Sequence, residues 1–119
     1  MHDFDAQKTE SAETFTALER QFGPFRAQIT LDLHFMAIDL RADPQGCADA
    51  LLAEGYVVDL FEGMIEASID VDEVNAEAIW GHEERTTKIA LKYGMSPDGW
   101  GFAVPRSPSI FSRIRSAFH

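Results

Sequence analysis

Hydrophobic positions change their period several times along the chain, and each change marks an element. Residues from about Thr9 to Gln21 read as a helix, because Phe15, Leu18 and Phe22 fall at i, i+3 and i+7 and Gly23-Pro24 ends the run. From Arg26 the period drops to two. Ala27, Ile29, Leu31, Leu33, Phe35 and Ala37 point one way while Gln28, Thr30, Asp32 and His34 point the other, the mark of a long strand with one buried face. Asp43-Pro44 then supplies an N-cap and a proline for the first helical position. The short helix it opens carries Cys47, Ala48, Leu51 and Leu52, and Gly55 suits its end. Tyr56 to Phe61 reads as a second strand and Glu62-Gly63 as a tight hairpin turn. In a third strand Ile65, Ala67, Ile69 and Val71 alternate with Glu66, Ser68, Asp70 and Asp72. Asn75 caps a longer helix running to Tyr93, with Ile79, Thr86, Ile89, Ala90 and Tyr93 on one side and Gly94 closing it. Gly99 to Val104, stopped by Pro105, is the last predicted strand.

The order is therefore an extra helix followed by β-α-β-β-α-β. This predicts an α+β, ferredoxin-like fold: a four-stranded antiparallel sheet with two helices on one face. Residues 1–25 are expected to form a helical extension, 26–105 the domain, and 106–119 a tail. In that tail Ile110, Phe111, Ile114 and Phe118 make one side of a short helix and Arg113 and Arg115 another. It is expected to dock on the domain in cis, or across a twofold in a homodimer. At 119 residues, 45% of them hydrophobic, one core suffices.

Charge changes the picture more than composition does. The net charge is −10, but it is segregated. Residues 1–41 hold four bases and seven acids, residues 42–84 hold twelve acids and no Lys or Arg, and residues 85–119 hold six bases and one acid. Such an acidic centre argues against nucleic acid as a direct partner and against anionic membranes, and favours a basic partner. The third strand, MIEASIDV, offers no aromatic platform for stacking bases. No apolar run approaches a membrane span, the amino terminus lacks a secretory pattern, and the single cysteine leaves no internal disulfide; the expected compartment is the cytoplasm.

Candidate chemistry is thin. His82-Glu83 begins an HExxH pattern, but position 86 is Thr86; His34 and His82 fall on a free sheet face and on a helix packed against the other face. Counted from Asp70, a calcium loop would need glycine and glutamate where Asn75 and Gly81 stand. Cys47 lies at an apolar helix position beside Ala48, as a core cysteine does, and there is no GxSxG, GxGxxG or phosphate-loop motif. These patterns predict no enzyme, no metal and no cofactor.

Two stretches carry a resemblance. Asn75 to Val104 (NAEAIWGHEERTTKIALKYGMSPDGWGFAV), with its Asp98-Gly99-Trp100-Gly101 turn, resembles the regulator of ribonuclease E activity B (RraB) family, as does the Ala53-Glu54-Gly55-Tyr56 junction. The resemblance spans about residues 26–104. It implies a ferredoxin-like, non-catalytic inhibitor that engages the arginine-rich scaffold region of ribonuclease E and lowers RNA cleavage. The chain departs from that family in ending with Arg106, Arg113 and Arg115, where members commonly end in acids. The expected partner-binding residues are Asp59, Glu62, Glu66, Asp70 and Asp72 for the negative field, with Trp100 as anchor. The alternative is an oligomerising or structural domain with no nuclease link.

Overall fold

The structure is a computed structural model that describes residues 2–22 and 28–103. The elements are α1 (Phe4–Phe22), β1 (Ile29–Ala37), α2 (Pro44–Ala53), β2 (Val57–Phe61), β3 (Met64–Val71), α3 (Ala76–Lys92) and β4 (Met95–Ala103). The strands form one antiparallel sheet in the order β2-β3-β1-β4, the arrangement the β-α-β-β-α-β order predicts. Arg26, Ala27, Val104, Pro105 and the tail 106–119 lie outside the described residues.

Strand β1 divides the sheet. Its Ile29, Leu31, Leu33 and Phe35 are buried, and the cross-strand register puts Val71, Ile69, Ala67 and Ile65 of β3 on the same side. Phe102 and Trp100 of β4 face that side too, opposite Leu31 and Leu33. The helices cover this apolar face with Cys47, Ala48 and Leu51 of α2 and Ile79 and Ala90 of α3, giving one core. Both helices begin as the sequence predicts. Asp43 and Asn75 cap them through side-chain oxygens that accept from the Gly46 and Ala78 N–H at 3.0 and 2.8 Å.

Two expectations need correction. Helix α1 starts at Phe4, five residues before the expected Thr9, with the Ala6 N–H bonded to Asp3. Its stripe continues back through polar positions, since Gln7 Nε2 donates to Thr87 Oγ1 at 3.0 Å and Ser11 donates to Glu83. Phe15 and Leu18 complete the stripe in the shared core. Strand β4 begins at Met95, four residues before the expected Gly99. It can include Pro97 because β4 is an edge strand, where a missing N–H breaks no second ladder. The register shifts between Leu33 and Phe35, so Asp98 and Gly99 bulge opposite His34, and Gly99 takes φ +92° there. Of the apolar residues of α2, Cys47, Ala48 and Leu51 fill the face that meets the sheet, while Leu52 is 53% exposed. Pro44 takes the first helical position of α2, as the sequence predicts, and Gly46 lies in the same first turn.

The end of α3 locks the β1–α2 connection. Gly94 (φ +75°) accepts from the Ile38 N–H at 2.9 Å, and Tyr93 accepts from the Asp43 N–H at 2.8 Å. A Cβ on Gly94 would stand 3.0 Å from the Ala42 Cα, whereas one on the helical Gly81 would meet nothing within 4 Å. Gly94→Ala should therefore cost roughly 1–3 kcal/mol in urea unfolding, while Gly81→Ala should gain up to about 1 kcal/mol. Equal effects of the two substitutions would contradict this account of Gly94.

The α1–α3 joint is also pH-sensitive. Glu83 is only 7% exposed, and burial pushes its carboxyl up from its usual 4.5 to about 7 against the opposing pull of the Ser11 and Gln7 hydrogen bonds. Below pH 4.5 folded and unfolded chains both hold this proton. Between 4.5 and 7 only the folded chain does, so stability falls as pH rises, by about 3 kcal/mol once the penalty is complete above pH 7. Glu83→Gln keeps an acceptor for Ser11 and removes that proton. Its stability relative to the parent should climb across pH 4.5–7, and a difference flat over this window would refute the assignment.

Candidate functional site: the acidic open face of the sheet

The side of the sheet away from α2 and α3 is built by the even positions of β1 and the odd positions of β2, through the register alone. At the hairpin end, Phe61, Met64 and Met36 lie side by side, all three exposed. The next row is Asp59, Glu66 and His34; then come Val57, Ser68, Asp32 and Gly101; the last is Asp70, Thr30 and Ala103. Four carboxylates thus share one face, and no Lys or Arg occupies any of these positions.

Local hydrogen bonds orient this face. His34 Nε2 meets Glu66 Oε2 at 3.1 Å, Ser68 Oγ donates to Asp32 Oδ1 at 2.7 Å, and Thr30 Oγ1 donates to Asp70 Oδ1 at 2.8 Å. Asp59 stands directly opposite Glu66 and is exposed. Like charges placed opposite each other on a sheet repel by a few tenths of a kcal/mol to about 1 kcal/mol, which a cation bound between them would relieve. One polar group departs from the surface character of the rest. Asp32, at the centre of the face, is 0% exposed.

The expected site residues separate into three groups. Asp59, Glu66 and Asp70 converge on the open face, as the alternation predicts. Glu62 lies in the β2–β3 turn at one end and Asp72 just past β3 at the other, both exposed, so they flank the face. Trp100 is 5% exposed and faces the core opposite Leu33, across the sheet from the acids. Its indole holds β4 against the helices and is not presented to a partner from the acidic side. Sequence reasoning missed Asp32 as a site residue, although its strand parity was visible. It also missed the apolar row of Phe61, Met64 and Met36, which depends on a three-strand register no single segment displays.

The remaining titratable groups are structural. Burial lowers the His82 pKa, with the Arg85 charge adding to it, and the ring Nδ1 pairs with Tyr56 Oη at 2.8 Å. Burial raises the Tyr56 pKa. Cys47 is fully buried, and burial together with the Asp43 charge pushes its thiol up to about 11, so it is a poor nucleophile. His34 and His82 belong to opposite faces of the sheet, and among the described residues no three His, Cys, Asp or Glu side chains converge to hold a metal ion. A groove of about 390 Å³ beside α1, lined by Gln7, Glu10, Ser11, Glu83 and Trp100 among others, lies on the helix side. No helix among the described residues is long and apolar enough to cross a membrane.

Comparison with known proteins gives a distant relative with a regulatory name. No protein-family model matches the chain. The chain is similar to the Regulator of ribonuclease activity B of Alteromonas mediterranea, with 26% identity over 117 residues that cover 85% of each chain.

Proposed function

We propose that this protein is a non-catalytic, cytoplasmic regulator that binds a basic protein segment on its open sheet face, and that this segment is the arginine-rich scaffold of a ribonuclease E. The observation that carries the reading is the juxtaposition of Asp59, Glu66 and Asp70, flanked by Glu62 and Asp72, on a face without a Lys or Arg among its described positions. The similarity to a protein named as a regulator of ribonuclease activity supports the choice of target.

Physically, an acidic face of this kind speeds encounter with a cationic chain and lets a disordered one lie along it. The exposed row Phe61, Met64 and Met36 adds apolar area at the hairpin end, so affinity need not rest on charge alone. Methionine and phenylalanine accept varied side chains, which suits a low-complexity partner.

The test is calorimetric titration with the arginine-rich scaffold segment of ribonuclease E from the same source, at low and moderate salt. Saturable binding that weakens with salt is expected. Asp59→Lys with Asp70→Lys should reduce affinity about tenfold or more at low salt and flatten the salt dependence. Undiminished binding by this folded double variant would show that the acidic face is not the site. Absence of binding by the parent at both salts would remove ribonuclease E as the target.

A further inference from the structure

The two outer strands of the sheet differ in regularity. Strand β4 shifts its register midway, whereas β2 pairs with β3 from Phe61↔Met64 to Val57↔Ser68 without a shift. The Glu62-Gly63 turn, with φ of 49° and 77°, is the two-residue hairpin type that makes Phe61 and Met64 a hydrogen-bonded pair. Bonding alternates from there. Val57, Asp59 and Phe61 turn their backbone N–H and C=O to β3, while Val58 and Leu60 turn theirs outward. Among the described residues no strand lies beyond β2 to meet them. A straight edge of this kind accepts an extended peptide as an added strand.

Apolar side chains flank that edge on both faces of the sheet. Val57 and Phe61, 68% and 61% exposed, stand on the open side, and Leu60 on the helix side is exposed as well. Helix α2 packs against β2 and leaves Leu52 in solvent. Successive side chains of a strand laid along β2 would alternate between these two faces and cover both. The occupant is not a second β2. The antiparallel register that engages both Val58 and Leu60 sets the Asp59 side chains of two copies directly opposite each other, where like charges repel. Residues 42–84, which supply α2, β2 and β3, hold twelve acids and no Lys or Arg. The edge therefore selects a cation opposite Asp59, in the row that Asp59 shares with Glu66 and His34.

We propose that the outer edge of β2 takes an extended segment of another protein as a fifth strand, with one Arg or Lys opposite Asp59 and apolar side chains at the two positions on each side of it. Backbone bonds to Val58 and Leu60 hold the segment, and the alternation of its side chains fixes the register. The proposal rests on the function proposed above for which protein supplies the segment; the mode of docking rests on the strand alone.

The probe is a blocked peptide, Thr-Val-Ile-Arg-Val-Tyr-Thr, titrated into the ¹⁵N-labelled full chain. Hydrogen exchange at the Val58 and Leu60 amides should slow about tenfold at roughly 90% saturation, while Val57, Asp59 and Phe61, already bonded to β3, keep their rates. Glutamate in place of the peptide's arginine should abolish binding. Leu60→Pro removes one outward donor at a position an edge strand tolerates, and should weaken binding about fivefold relative to Leu60→Ala. Where Leu60→Pro fails to fold, the exchange rates of the parent decide alone. Peptide bound with Val58 and Leu60 exchanging as before would overturn edge docking and leave the open face as the site. Absence of binding at millimolar peptide would overturn it too. Protection of the same two amides in the parent alone, rising with protein concentration, would give the edge to a second copy and sink the proposal. Edge docking of the peptide by a chain that binds no ribonuclease E scaffold segment would remove the regulator reading and leave the edge standing.

Discussion

The structure depends on the two-faced alternation of β1. This strand pairs on both sides, with β3 and with β4, so its parity sets the parity of the sheet. Ile29, Leu31, Leu33 and Phe35 commit one side to the helices, and Thr30, Asp32 and His34 commit the other to polar contacts. A slip of one residue would place aspartate and histidine in the core and four large apolar side chains outside it, so the register is fixed by burial. Core and acidic face are consequences of the same nine residues. A change that improved one side by altering the parity would destroy the other.

Much of the fold was legible because alternation and caps are local signals. The hairpin between β2 and β3 is announced by Glu62-Gly63, and the starts of α2 and α3 by Asp43-Pro44 and Asn75. What was not legible has a common cause: partners distant in sequence decided it. The first half of α1 carries no apolar stripe because its inward positions, Gln7 and Ser11, meet Thr87 and Glu83, a polar joint that hydrophobic periodicity does not register. The first half of β4 contains Ser96-Pro97-Asp98-Gly99, which reads as a turn; only its place at the sheet edge and the bulge opposite His34 make it a strand.

The candidate site follows the same division. Asp59, Glu66 and Asp70 could be assigned to one face from strand parity, since each alternates with apolar residues in its own segment. Trp100 shares the parity of Phe102, and pairing with Leu33 turns it into the core, away from the acids. The burial of Asp32 and the alignment of Phe61 with Met64 and Met36 belong to the assembled sheet, where three strands must be in register before either exists.

Strand β4 has one further consequence, for self-association. A sheet edge offers a row of unpaired backbone groups on which another chain can propagate, and proteins blunt such edges with proline, charge and local twist. The outer edge of β4 carries all three within three residues: Pro97 removes a donor, Asp98 adds a charge, and the bulge at Asp98-Gly99 breaks the even spacing that a docking strand would need. The irregularity that makes this segment look like a turn in the sequence thus keeps the sheet finite on that side, and four strands do not become the seed of an endless ribbon.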